Sequence, residues 1–244
     1  MAAVVVLGVA GFVAWASAAA PPSAEALAAL ESGGEVAVQS TRPDGWLVFR
    51  PRGGAPVSGL VVYPGGRVDA RAYAPLARDI AAGGFLVVIV PVRLNLAILD
   101  VQAAAPVQRA FPEIRVWSVG GHSLGGTVAG WYAREHASDG PLAVRGLVLW
   151  GAYLDAGHSL RERPLSVVSI SGSLDGLSTP EKIEAGAGYL PPGTRWVVIE
   201  GGNHAQFGWY GAQAGDRKAT ISREEQQRAA AAATRELLAS LARA

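Results

Sequence analysis

Apolar and polar positions along this chain follow two rhythms. Short, nearly unbroken apolar runs recur at 59–63, 85–91, 114–119, 144–150, 166–171 and 195–199. Between most of them lie stretches with the three-to-four-residue spacing of a helix, near 70–82, 98–110, 124–137 and 180–187, and a long last one follows Ser222. Apolar strands separated by helices predict an α/β fold with a mostly parallel central sheet flanked by helices on both faces. The runs 36–39 and 46–50, joined through Arg42-Pro43-Asp44-Gly45, read as an opening hairpin. Ser23 reads as the cap of a short helix over 24–31, and Ser222 with Glu225 as a capping box.

The N-terminal stretch has a different pattern. Residues 1–20 carry no charge and are apolar almost throughout, ending in Ser17-Ala18-Ala19-Ala20-Pro21-Pro22. Two readings stand side by side. The small-residue end suits a secretory signal, although the usual basic start is lacking. The apolar length, with Trp15 near one end, suits a membrane anchor. Either reading places the rest of the chain outside the cytoplasmic membrane, with membrane association through residues 1–20; a buried helix of a soluble body, with a cytoplasmic location, is the plainer alternative.

Composition narrows the function classes. The chain has 244 residues, half of them hydrophobic, and a net charge of +1. That length suits one domain with an appendage, and the balanced charge argues against nucleic acid as a partner. The absence of cysteine excludes disulfides and cysteine-held metals. No metal or other cofactor is expected, and the oligomeric state is left open.

The most informative stretch is Gly121-His122-Ser123-Leu124-Gly125-Gly126. An apolar strand feeds a glycine corner and a helix of small residues follows, which is the order that lifts a serine hydroxyl above a sheet edge. Such a serine needs a base oriented by a carboxylate. Downstream histidines are His136, His158 and His204. His136 ends the helix that begins at the corner, about three turns away, too far to reach Ser123. His158 lies in a loop. His204 follows the last apolar strand on a glycine-rich loop, so it is taken as the base. Asp175 and Asp155 both follow strands; Asp175 is taken as the acid and Asp155 is the alternative. The amide of Leu124, at a helix N-terminus, and that of Gly66, after Tyr63-Pro64-Gly65, are the expected oxyanion donors.

Tyr63-Pro64-Gly65-Gly66, the Ser123 corner, Gly172-Ser173-Leu174-Asp175 and Gly202-Asn203-His204 stand in this order at strand ends. With them the chain resembles the α/β-hydrolase superfamily, in its compact α/β-hydrolase-5 or dienelactone-hydrolase-like branch, from about Trp46 to the C-terminus. The resemblance implies a catalytic triad of Ser123, Asp175 and His204. It departs from dienelactone hydrolases, whose nucleophile is a cysteine. It divides the chain into a signal or anchor segment, 1–22, and a hydrolase domain, 23–244. Many relatives insert a helical lid where this chain has only 151–165, so an open site is expected. Trp150, Tyr153, Phe207, Trp209 and Tyr210 are candidate lining residues, with Arg67 placed to meet an anionic group. The expected activity is hydrolysis of a small acyl ester through an acyl-enzyme. Acyl transfer, peptidase action and a non-catalytic binding role on the same scaffold are the alternatives.

Overall fold

The computed structural model describes residues 2–243. Among them, eight strands form one sheet: β1 (Val36–Ser40), β2 (Leu47–Pro51), β3 (Ser58–Tyr63), β4 (Leu86–Ile89), β5 (Val116–His122), β6 (Gly146–Trp150), β7 (Ser166–Gly172) and β8 (Arg195–Ile199). Their spatial order is β1-β2-β4-β3-β5-β6-β7-β8. β3 to β8 are parallel, while β2 runs antiparallel to both of its neighbours, β1 and β4. The helices are α1 (Ala2–Ser17), α2 (Ala24–Ala28), α3 (Ala74–Ala82), α4 (Ala104–Ala110), α5 (Leu124–His136), α6 (Pro180–Gly186) and α7 (Arg223–Arg243).

The two faces of the sheet have separate cores, and strand parity sorts the residues between them. Leu60 and Val62 of β3 face α3 and α7, together with Val148 and Trp150 of β6. Val61 and Tyr63 face the opposite layer, against Val128, Ala129 and Tyr132 of α5. Both faces are covered, so the parallel strands are apolar throughout, as such sheets require.

Helix starts follow local chemistry. Ser222 Oγ accepts from the Glu225 amide at 3.2 Å, and Glu225 Oε2 accepts from the Ser222 amide at 2.8 Å, closing the capping box. The expected helix over 98–110 is only half formed. Three single 3₁₀ turns, Arg93–Asn95, Ala97–Leu99 and Val101–Ala103, precede α4. Asp100 explains the irregularity, since its carboxylate accepts from the Arg93 amide at 2.5 Å and from Arg93 Nε at 2.6 Å. Side-chain bonds of this kind offer the backbone an alternative to the helical ladder. Over 151–165 the chain forms only a short turn, Ala156–His158, so no lid helix lies there.

The N-terminal segment is fastened to the body. Ala16 is buried, Ala20 pairs with Val68 in a parallel bridge, and the Ser23 amide donates to Trp209 O at 2.8 Å. The α1 side chains at 8–15 are exposed. Among the described residues no helix is long and apolar enough to cross a membrane.

Candidate active site

The carboxyl ends of β3, β5, β6, β7 and β8 meet at one rim, where ligands of parallel sheets bind. β5 runs to His122 and α5 begins at Leu124, so Ser123 alone makes the corner. Its backbone sits at φ 52°, ψ −125°, a conformation that costs a side-chain-bearing residue about 1–3 kcal/mol. The corner is held by the Ser123 amide, which donates to Trp150 O at 3.0 Å. It also needs its flanking glycines. A Cβ on Gly121 would lie 2.4 Å from Tyr63 O, and one on Gly125 would lie 2.3 Å from both Tyr63 O and Pro64 O.

Ser123 is half-buried and opens onto a pocket of about 300 Å³ lined by Leu124, Thr127, Ala152, Tyr153, Leu177 and Ser178, with Asp155 at its wall. The Leu124 amide is in the first turn of α5, whose N–H groups have no partner within the helix. The Gly66 amide has no hydrogen bond among the described residues, and a Cβ at Gly66 would lie 3.2 Å from Leu124 Cδ2. Both amides are thus free donors, one at the start of α5 and the other on the loop beside it.

His204 and Asp175 are fully buried and paired, with 2.7 Å between Nδ1 and Oδ2. The other oxygen, Oδ1, accepts from the Leu177 amide at 2.8 Å and the Ser178 amide at 2.7 Å. This Asx-type turn fixes the carboxylate and leaves Oδ2 aimed at the imidazole. Asp155 instead pairs with His158 at the surface, at 2.9 Å. His136 lies at the end of α5 and contacts Gln102 Oε1 at 3.3 Å. With Nδ1–H given to Asp175, His204 Nε2 presents a lone pair. That atom is buried and has no hydrogen-bond partner among the described residues, Ser123 Oγ included. The site is therefore more closed than an open cleft: the His204 imidazole is sealed, and only the serine side of the rim is open.

Three groups that sequence reasoning did not single out hold this arrangement. The first is His122, whose ring centroid lies 4.3 Å from that of His204. The Gly65 amide donates to Tyr73 Oη at 3.0 Å, and the same hydroxyl is hydrogen-bonded to His122 Nδ1 at 2.9 Å. Burial raises the Tyr73 pKa, which keeps the phenol protonated. Burial, and next the adjacent His204, push the His122 pKa well below the ordinary imidazole range. The second is Asp216. Its Oδ1 accepts from the amides of Gly176 (3.0 Å), His204 (3.2 Å) and Arg217 (2.9 Å), and its Oδ2 accepts from Ala205 (2.8 Å). One carboxylate thus ties the Asp175 loop to the His204 loop. The third is the buried Gln226 of α7, which accepts from the Asn203 amide at 2.9 Å and donates to Asn203 O at 2.7 Å.

Several expected lining residues lie elsewhere. Trp150 is fully buried in the α7-side core, its Nε1–H donating to Thr234 Oγ1 at 3.2 Å. This corrects the expectation that it contacts substrate. Phe207 is likewise buried (1% exposed), its ring 5.6 Å from His122, so it backs the histidines from behind and does not line the pocket. Tyr210 is buried as well, and Trp209 packs under the Arg223 guanidinium. Tyr153, 37% exposed, does line the pocket. The Arg67 guanidinium is not free for an anion. It donates to Trp15 O and Ala18 O, at 3.0 Å each.

The alpha/beta hydrolase family model matches residues 59–228, and the chain belongs to that family. The fold is similar to that of TT1662 from Thermus thermophilus, at TM-score 0.59 and 16% identity over 84% of this chain and 99% of that one. It is equally similar to Est2, a thermophilic esterase from the planctomycete Thermogutta terrifontis solved with butyrate bound. There the TM-score is 0.60, with 16% identity over 84% of this chain and 94% of that one. At this identity the likeness is one of fold. No curated protein sequence matches the chain.

Proposed function

We propose that this hydrolase cleaves carboxylic esters of small acyl groups through an acyl-enzyme on Ser123. One observation carries the reading: a buried Asp175–His204 pair with an unpartnered Nε2 lies at the same rim as a serine held in a strained corner. Ser123 Oγ attacks the ester carbonyl carbon and its proton passes to His204 Nε2. The oxyanion receives the Leu124 and Gly66 amides. Collapse breaks the carbon–oxygen bond, and the alcohol leaves with the proton from Nε2. Water then attacks the acyl group, giving one proton to Nε2, which returns it to Ser123 Oγ. Throughout, Asp175 holds the Nδ1–H tautomer. Substrate entry draws Ser123 Oγ and His204 Nε2 into contact, since such hydrogen bonds are commonly long without a ligand. The butyrate-bound esterase of the same fold supports the substrate class.

The reading extends to location. Val9, Phe12, Val13 and Trp15 of α1 are exposed, and a helix apolar on every side belongs in a core or in lipid. We take α1 as a membrane attachment, with the hydrolase body outside the cytoplasmic membrane. The test of function is turnover of p-nitrophenyl butyrate. Ser123→Ala is expected to abolish it while the melting temperature holds; turnover retained in that variant rejects Ser123.

A further inference from the structure

Among the described residues, four other than glycine adopt positive φ: Ser123 (52°), Arg67 (57°), Leu94 (52°) and Asn95 (54°). The first is the corner serine. The other three meet at a single junction, where residues 15–20 dock onto the loop that carries Gly66. Left-handed backbone at side-chain-bearing residues persists only where surrounding contacts enforce it.

Here those contacts are plain. Val68 N donates to Gly65 O at 3.2 Å, closing a turn with Arg67 at its third position, where a positive φ favours Gly or Asn. Arg67 N donates to Asn95 O at 2.8 Å, and Arg67 O accepts from Ala20 N at 2.7 Å. Ala20 O accepts in turn from Asp69 N at 3.1 Å. The Arg67 guanidinium satisfies two carbonyls at the end of α1, Trp15 O and Ala18 O, and stacks on the Trp15 ring, 4.4 Å from its centroid. A cation at a helix C-terminus is favoured by the helix dipole as well.

This junction bears on the site through one peptide plane. Gly65 C=O and Gly66 N–H lie on opposite sides of a planar trans unit. Holding Gly65 O by Val68 N therefore fixes the direction of the Gly66 N–H. Residues 18–20 also form one wall of a cavity of about 440 Å³, with Gly66, Arg67, Val68 and Tyr210 on the others. Leu124 lines the Ser123 pocket and lies against Gly66, which lines this cavity.

We propose that residues 15–20 are a working part of the active site, with Arg67 as the positioning residue that clamps them to the oxyanion loop and so aims the Gly66 amide. The kinetic consequence rests on the esterase reading; the clamp itself does not. It follows that the N-terminal segment stays on the working enzyme, and that the attachment helix and the oxyanion donor form one mechanical unit.

The test compares full-length wild type with Arg67→Ala, Arg67→Lys and Trp15→Leu, each checked for an intact melting transition. Hydrogen–deuterium exchange over 64–69 needs no turnover. Arg67→Ala is expected to speed exchange there by about tenfold, with Arg67→Lys and Trp15→Leu in between. On p-nitrophenyl butyrate, Arg67→Ala is expected to lower kcat by about tenfold with KM within about twofold, the signature of lost transition-state stabilisation, and Arg67→Lys to recover part of it. Exchange over 64–69 within about twofold of wild type in Arg67→Ala overturns the clamp. Faster exchange with unchanged kcat overturns its link to the oxyanion. A wild type that neither turns over the ester nor reacts at Ser123 overturns the esterase reading instead, and the exchange comparison still decides the clamp.

Discussion

Asp216→Ala removes a carboxylate that bonds four backbone amides, three of them partly buried: Gly176, His204 and Ala205. The fourth, Arg217, is exposed and water replaces its partner. A hydrogen bond to a charged group contributes about 1.5–3 kcal/mol. Asp216 is half-exposed, so solvent screening reduces this to about 1 kcal/mol for each of the three. The expected loss is thus about 3 kcal/mol, or roughly 6–12 °C in Tm for a chain of this size. Asp216→Asn separates the contributions. Its amide oxygen can keep the Oδ1 bonds, while its NH₂ faces the Ala205 N–H, so the loss is about 1–2 kcal/mol. Thermal and urea unfolding give the stability order wild type, Asn, Ala. Because the same carboxylate joins the His204 loop to the Asp175 loop, kcat on p-nitrophenyl butyrate is expected to fall in the same order. An alanine variant with Tm within about 2 °C of wild type and unchanged kcat refutes the reasoning.

Three further outcomes follow from the same geometry. Gly125→Ala puts a Cβ 2.3 Å from two backbone oxygens, so urea unfolding should show a loss of about 3 kcal/mol or more; a loss under about 1 kcal/mol contradicts the tight corner. His122 has its pKa depressed by burial, so between that value and the ordinary 6.5 the unfolded chain binds a proton that the folded chain does not. Stability contributed by His122 is therefore present above 6.5 and lost as the pH falls below it. His122→Asn, whose side-chain amide can still hydrogen-bond to Tyr73 in either direction, should show a shallower fall in Tm from about pH 7.5 to 5; equal slopes refute this assignment. Tyr153→Ala widens the Ser123 pocket and should raise the rate on p-nitrophenyl octanoate relative to butyrate, measured as the ratio of kcat/KM values. An unchanged ratio removes Tyr153 from the pocket wall.

The sheet was legible in the sequence because both of its faces are covered, leaving β3 to β7 as apolar runs with sharp ends. Glycine corners at those ends marked the rim. The helix expected over 98–110 was legible only in part, since Asp100 captures the Arg93 backbone and interrupts the helical ladder. Trp150 was misplaced for a reason the sequence does contain. It shares parity with Val148, so its side chain must point to the α7 face. Arg67 could not be read from its neighbours, because its partners lie some fifty positions earlier, on a segment whose docking has no local signature. Asp216 and His122 escaped for related reasons. The first acts through backbone amides, which no motif records, and the second sits inside the serine motif at a position with no role in the proton chemistry. Asp175 carries both its local and its distant reading at once, since one oxygen closes a turn and the other meets His204.

The central claim is that Ser123 is made reactive by His204. Treating the full-length chain with a fluorophosphonate and locating the adduct by mass spectrometry tests it most directly. The account predicts a single adduct on Ser123, formed at least about 100-fold more slowly in His204→Ala. An adduct at another residue, or on Ser123 at an undiminished rate without His204, contradicts it.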